Sequence, residues 1–86
     1  MRIKELILAL CKIVNSHQMN YCNIVLKEKD LVLQFYNEVT KSGYKERPYQ
    51  YTLILQAYEY LAAKEIPFDK VEVYCECSTT FILSFP

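Results

Sequence analysis

From Arg2 to about Ser16 the apolar residues fall at Ile3, Leu6, Ile7, Leu10, Cys11 and Val14, a spacing that gathers side chains on one face of a helix. Ala9 and Ile13 widen that face, while Leu8 lies opposite, with Lys4, Glu5 and Lys12. The period then changes. Asn20 to Glu28 alternates, with Cys22, Ile24 and Leu26 on one side and Asn23 and Lys27 on the other, which predicts a half-buried strand.

The next stretch has two readings. Leu31, Leu33 and Phe35 also alternate, and would return as the second strand of a hairpin through Lys27 to Asp30. A helix from Asp30 to Gly43 is preferred. Asp30 suits an N-cap and Gly43 the position just past a helix end, and Leu31, Val32, Phe35, Tyr36 and Val39 form a face opposite Gln34, Asn37, Glu38 and Lys41. The hairpin would lack a Gly or Asn turn and would leave a long loop after it.

Pro48 suits the first turn of a third helix running to about Lys64 or Glu65, where Pro67 would end it. Its expected core face is Tyr51, Ile54, Leu55, Tyr58, Leu61 and Ala62. Val71 to Cys77 then alternates, Ser78-Thr79-Thr80 breaks the pattern, and Phe81, Leu83 and Phe85 resume it. Two antiparallel strands joined by a tight turn are predicted, with one long bulged strand as the alternative. Val71, Val73, Cys75 and Cys77 are expected to face inward, leaving Glu72 and Glu76, which flank Tyr74, on the solvated side.

The fold class that follows is α+β in the order α-β-α-α-β-β, three helices packed on a small antiparallel or mixed sheet, with α-β-β-α-β-β as the competing order. A chain of 86 residues, 52% hydrophobic and 23% charged, has material for one core and not two. Residues 1–86 are expected to form a single compact domain.

Charge and composition narrow the function. Ten Lys and Arg balance ten Asp and Glu, so no global field draws in a polyanion or mimics one. The longest unbroken apolar run, Leu6 to Cys11, is far short of the ~20 residues a membrane span takes. Met1-Arg2-Ile3-Lys4 with Leu8-Ala9-Leu10-Cys11 approaches a lipoprotein leader, but Glu5 and Lys12 bracket too short an apolar core. A cytoplasmic location is expected, and with it reduced thiols.

Cys75-x-Cys77 with Cys22 and Cys11 would be the donors for any metal. Residues two apart on a strand share a face and Cys11 sits in a helical apolar stripe, unlike the paired turns of structural zinc sites. Neutral thiols packed in the core are expected, and no metal. His17, the only histidine, suits the C-terminal end of the first helix. It has no local nucleophile or orienting acid, so no catalytic residue is assigned. A single glycine, Gly43, excludes a phosphate-binding loop, and no cofactor is expected.

Eight tyrosines and no tryptophan are the most unusual feature of the composition. In the third helix Tyr51 and Tyr58 fall on the expected core face, whereas Tyr49, Leu53 and Tyr60 line a second stripe beside Gln56 and Lys64. A helix apolar on two sides is either sandwiched in its own domain or offers one side to a partner, a use to which tyrosine is well suited. The expected function is a non-catalytic protein-interaction module that binds another protein, or itself as a homodimer, through Tyr49, Leu53, Gln56, Tyr60 and Lys64. Small motif-poor chains of this kind are common among phage and mobile-element accessory proteins acting as stoichiometric inhibitors or adaptors. The alternative is a nucleic-acid-binding regulator in which tyrosines such as Tyr44 stack on bases while Lys41, Lys45 and Arg47 meet phosphates. A small enzyme or thiol-dependent protein stands third.

Overall fold

The computed structural model describes residues 3–86. Met1 and Arg2, and with them the expected start of the first helix, lie outside the described residues. The elements are α1 (Ile3–Ser16), β1 (Cys22–Lys27), β2 (Asp30–Tyr36), β3 (Glu38–Thr40), β4 (Gly43–Lys45), α2 (Gln50–Ala63), β5 (Asp69–Tyr74) and β6 (Ser78–Ser84). β1, β2, β6 and β5 form a four-stranded sheet in that spatial order, antiparallel throughout, and β3 and β4 form a separate two-stranded ribbon. Among the described residues there are two helices, so the three-helix order α-β-α-α-β-β is corrected. The observed order also exceeds α-β-β-α-β-β by the β3–β4 ribbon.

The correction turns on residues 30–43. Leu31, Leu33 and Phe35 are each fully buried, with Val32 and Gln34 between them half-buried. A helix would have placed Leu33 on the side away from Leu31 and Phe35, whereas a strand puts all three on one face. Burying each stabilises by roughly 1.5–3 kcal/mol. The turn they require contains Glu28 at φ 53, left-handed backbone that costs a non-glycine residue roughly 1–2 kcal/mol. Burial outweighs the turn. Gly43 does occupy a position needing positive φ, at φ 115, but it closes the β3–β4 turn instead of a helix. Thr40 Oγ1 donates to the Gly43 carbonyl at 2.7 Å and accepts from the Ser42 amide at 3.2 Å.

Both helices end without glycine. Gln18 (φ 51) and Glu65 (φ 56) take the left-handed position after each helix. Paired backbone bonds close both ends: Gln18 N to Asn15 O and Met19 N to Val14 O, then Glu65 N to Ala62 O and Ile66 N to Leu61 O. This is the Schellman arrangement, in which the next residue tucks an apolar side chain against the helix. Met19 is 1% exposed and Ile66 packs on the core. Pro67 therefore follows the stop and does not make it, and Pro48 precedes α2 by one turn residue, Tyr49, at φ 68.

Ile3, Leu6 and Leu10 of α1 and Leu53, Ile54, Ala57 and Leu61 of α2 meet Leu31, Leu33, Phe35, Phe81 and Leu83 of the sheet in one core. The buried positions of α2 are Gln50, Leu53, Ile54, Ala57 and Leu61, so its core face is rotated from the expected one. Tyr51 and Leu55 are exposed, Ala62 is exposed and Tyr58 half-buried. The turn between the last two strands is Cys75-Glu76-Cys77, not Ser78-Thr79-Thr80, and Cys75 and Cys77 are exposed instead of packed in the core. Asn37 holds this turn, donating its amide N–H to the Cys77 carbonyl at 2.8 Å and its side-chain N–H to Glu76 O at 3.1 Å.

Candidate functional site

The strand registers fix which side chains share a face. Leu33 and Phe81 are cross-strand neighbours facing the helices, and Glu72 is aligned with Phe81 and Lys70 with Leu83. Lys70, Glu72 and Tyr74 thus take the helix side of β5, and Val71 and Val73 take the open side. This reverses the expected orientation of β5, because pairing residues in register share a face whatever their polarity. β5 tolerates the arrangement because it is the edge strand and every residue in it is exposed.

On the open face one cross-strand row runs Val25, Val32, Ile82, Val71, one apolar residue from each of the four strands. Val25 is 43% exposed and Val71 54%, with Val32 and Ile82 half-buried between them. The next row is Asn23, Gln34, Thr80 and Val73, and Tyr36 sits beyond it. The Tyr36 hydroxyl donates to Gln34 Oε1 at 3.3 Å and accepts from Asn23 Nδ2 at 3.4 Å. The face is an apolar band with a polar, hydrogen-bonded border. Sequence reading passed over it, because Val25 and Val32 look unremarkable until the register aligns them with Ile82 and Val71.

The stripe expected on α2 is divided by the fold. Leu53 is fully buried in the core. Tyr60 is half-buried against α1, its hydroxyl donating to Glu5 Oε2 at 2.9 Å and its ring lying 5.9 Å from Lys64 Nζ. Tyr49 precedes the helix and stacks on His17 at 4.0 Å between centroids, joining the end of α1 to the start of α2. Gln56 and Lys64 are exposed.

The expected phosphate-contacting residues gather around the β3–β4 ribbon without forming a free cationic patch. Lys41 is in its turn, Lys45 lies opposite Glu38, and Tyr44 is exposed. Arg47 is half-buried, its Nε donating to the Tyr36 carbonyl at 3.0 Å and its guanidinium 5.2 Å from the centre of the Tyr21 ring. The Tyr21 hydroxyl donates to the Pro48 carbonyl.

A cleft of about 450 Å³ lies between this ribbon and the Cys75-Glu76-Cys77 turn, lined by Asn37, Tyr44, Glu46, Tyr74, Glu76 and Thr79 among others. Two of its lining residues are hydrogen-bonded: Glu46 Oε1 accepts from the Tyr51 hydroxyl at 2.9 Å, and Tyr74 donates to Glu72 Oε2 at 2.7 Å. Hydrogen bonding to Glu72, then to Tyr51, raises the Tyr74 pKa above the usual phenol value, and bonding to Glu46 raises that of Tyr51. Both hydroxyls stay protonated as donors, one within β5 and the other at the start of α2, and offer no general base.

Cys22 is as quiet. Burial, then the neighbouring Cys11, pushes the Cys22 thiol up to about 12, which keeps it neutral and a poor nucleophile at ordinary pH. Among the described residues no three His, Cys, Asp or Glu side chains are grouped to hold a metal ion, and no helix is long and apolar enough to cross a membrane. No family model, curated protein or solved structure matches the chain, so the functional reading rests on its own geometry.

Proposed function

We propose that this chain is a non-catalytic protein-interaction module, an adaptor or stoichiometric inhibitor working in the cytoplasm, and that it binds its partner with the open face of the four-stranded sheet. The observation that carries the reading is the row Val25, Val32, Ile82, Val71. A solvated antiparallel face ordinarily alternates to polar residues. A continuous apolar band across every strand, edged by Asn23, Gln34, Thr80 and the Tyr36 hydroxyl, has the apolar centre and polar rim of a protein-binding surface. The exposed free thiols of Cys75 and Cys77 suit a reducing compartment.

The test is capture of partners from nuclease-treated host extract by the wild-type chain, by Val25→Ser with Ile82→Thr, and by Tyr49→Ala with Gln56→Ala. The open-face variant is expected to lose about tenfold or more of the retained protein, and the α2 variant to keep it. Retention by the open-face variant with loss by the α2 variant would return the surface to the helix. Material lost on nuclease treatment or with rising salt would favour nucleic-acid binding.

A further inference from the structure

β5 is an edge strand, exposed along its whole length, with no strand paired on its outer side among the described residues. In an antiparallel ladder alternate residues turn both backbone groups to the same neighbour. The Cys75 amide donates to the Ser78 carbonyl at 2.8 Å, so the odd-numbered residues of β5 point their amides at β6. Lys70, Glu72 and Tyr74 therefore turn theirs to the open edge, where no strand is paired among the described residues. Two antiparallel copies related by a two-fold axis keep the helix side continuous only if residues of the same parity lie opposite each other.

That condition leaves few registers. Centred on Lys70 the contact sets Lys70 against Lys70 of the second copy, and centred on Glu72 it sets Glu72 against Glu72. Centred on Val73, the overlap within the strand shrinks to residues 72–74 of each copy. Centred on Val71, residues 69–73 overlap, and Lys70 of each copy faces Glu72 of the other. These two pairs are also the ones whose amides are turned outward, so opposite charge and backbone pairing coincide. Neither residue makes an ion pair within the chain among the described residues: Lys70 Nζ lies 4.9 Å from the Tyr58 ring and Glu72 accepts the Tyr74 hydroxyl. Phe68 of each copy would follow opposite Tyr74 of the other.

We infer that this protein forms a two-fold dimer by antiparallel pairing of β5 with β5 of a second copy, centred on Val71, with reciprocal Lys70 to Glu72 contacts. The consequence on the open face is an eight-stranded sheet whose apolar row runs unbroken through both copies, Val71 meeting Val71 at the axis. Charges on an edge strand commonly serve to prevent pairing. Here the order Lys70-Val71-Glu72 repels copies in the two adjacent registers and matches them in one, so the same charges select the register. β1, the other edge, carries one charged residue, Lys27, and has no such match.

The experiment is light scattering coupled to size exclusion, with sedimentation across a dilution series, on the wild-type chain, Lys70→Glu, Glu72→Lys and the double variant Lys70→Glu with Glu72→Lys. Wild type is expected at twice the 10.2 kDa chain mass. Each single swap turns two attractive pairs into repulsive ones and is expected to weaken association roughly 10- to 100-fold, and the double swap, which restores opposite charges, to recover it. All four chains should share one far-ultraviolet circular dichroism spectrum, as both residues are exposed. A wild type that stays monomeric at high concentration, a dimer indifferent to the single swaps, or a double variant that does not re-associate would each overturn the inference. Partner capture with Val25→Ser and Ile82→Thr reports separately on the open face, so failure of the dimer and failure of the proposed function are distinguishable.

Discussion

The two faces of the sheet are made from the same strands and nearly the same kind of residue, and behave in opposite ways. On one, Leu31, Leu33, Phe35, Phe81 and Leu83 are at most 1% exposed beneath two helices. On the other, Val25, Val32, Ile82 and Val71 form a row with no layer over it among the described residues. Apolar character alone did not decide burial. What separates the faces is size and cover: the helix side carries Leu and Phe, whose area fills the space beneath α1 and α2, and the open side carries shorter β-branched residues that suit a pleated surface in contact with water or a partner. The contrast locates stability on one face and the proposed binding on the other.

The largest effect that would break this contrast is at Phe81. Its edge-to-face contacts with Phe35 (6.0 Å) and Tyr51 (6.2 Å) tie the sheet to its own centre and to α2, and Phe81→Ala is expected to cost about 3–5 kcal/mol in urea denaturation. Survival of Phe81→Ala with less than about 1 kcal/mol lost would mean the covered face is not the core. Gln50 gives a smaller change of opposite sign. It is 1% exposed and neither its amide nitrogen nor its oxygen has a partner among the described residues, so Gln50→Met should raise stability by about 1 kcal/mol. A loss of stability would show that the amide is satisfied by buried water.

The margin between the faces is sharpened by pH. The phenol pKa values of Tyr74 and Tyr51 are raised in the fold, so their protonated forms contribute stability that is complete below the unfolded value near 10.0 and is lost as pH rises through the folded values. Unfolding by urea at pH 8 and at successive steps above pH 10 should show this decline, and Tyr74→Phe should flatten it. An unchanged slope in that variant would remove the Glu46, Tyr51, Tyr74, Glu72 network as its source. Smallest is Val25→Ser on the open face, expected to shift stability by no more than about 0.5 kcal/mol. A core-sized loss there would mean the open face is structural.

The first helix was legible because a strict three-to-four spacing from Ile3 to Val14 has one geometric solution. The strand at Cys22–Lys27 was legible from its alternation, and the presence of α2 from the apolar stretch bounded by Pro48 and Pro67. Residues 30–43 were not. The apolar pattern there satisfied both periods, and the usual arbiter, a turn residue, was hidden because left-handed backbone at Gln18, Glu28, Tyr49 and Glu65 is taken by side chains that carry no turn signal. The helix-3 stripe failed to assemble for a related reason: a 14-residue helix with apolar residues on several sides does not say which side meets the sheet.

The sequence by itself determined the helical period of α1 and the alternation of β1, a single glycine, a formal net charge of zero, and enough apolar residues for a core. The tertiary structure decided the rest. Leu53 became core and Tyr51 surface, Val71 turned outward and Glu72 toward the helix side, and Lys70 and Glu72 came to flank Val71 along an exposed edge. Each of these depends on register and layer packing, which are set by contacts between residues far apart in the chain, where a shift of one position exchanges the two faces of a strand.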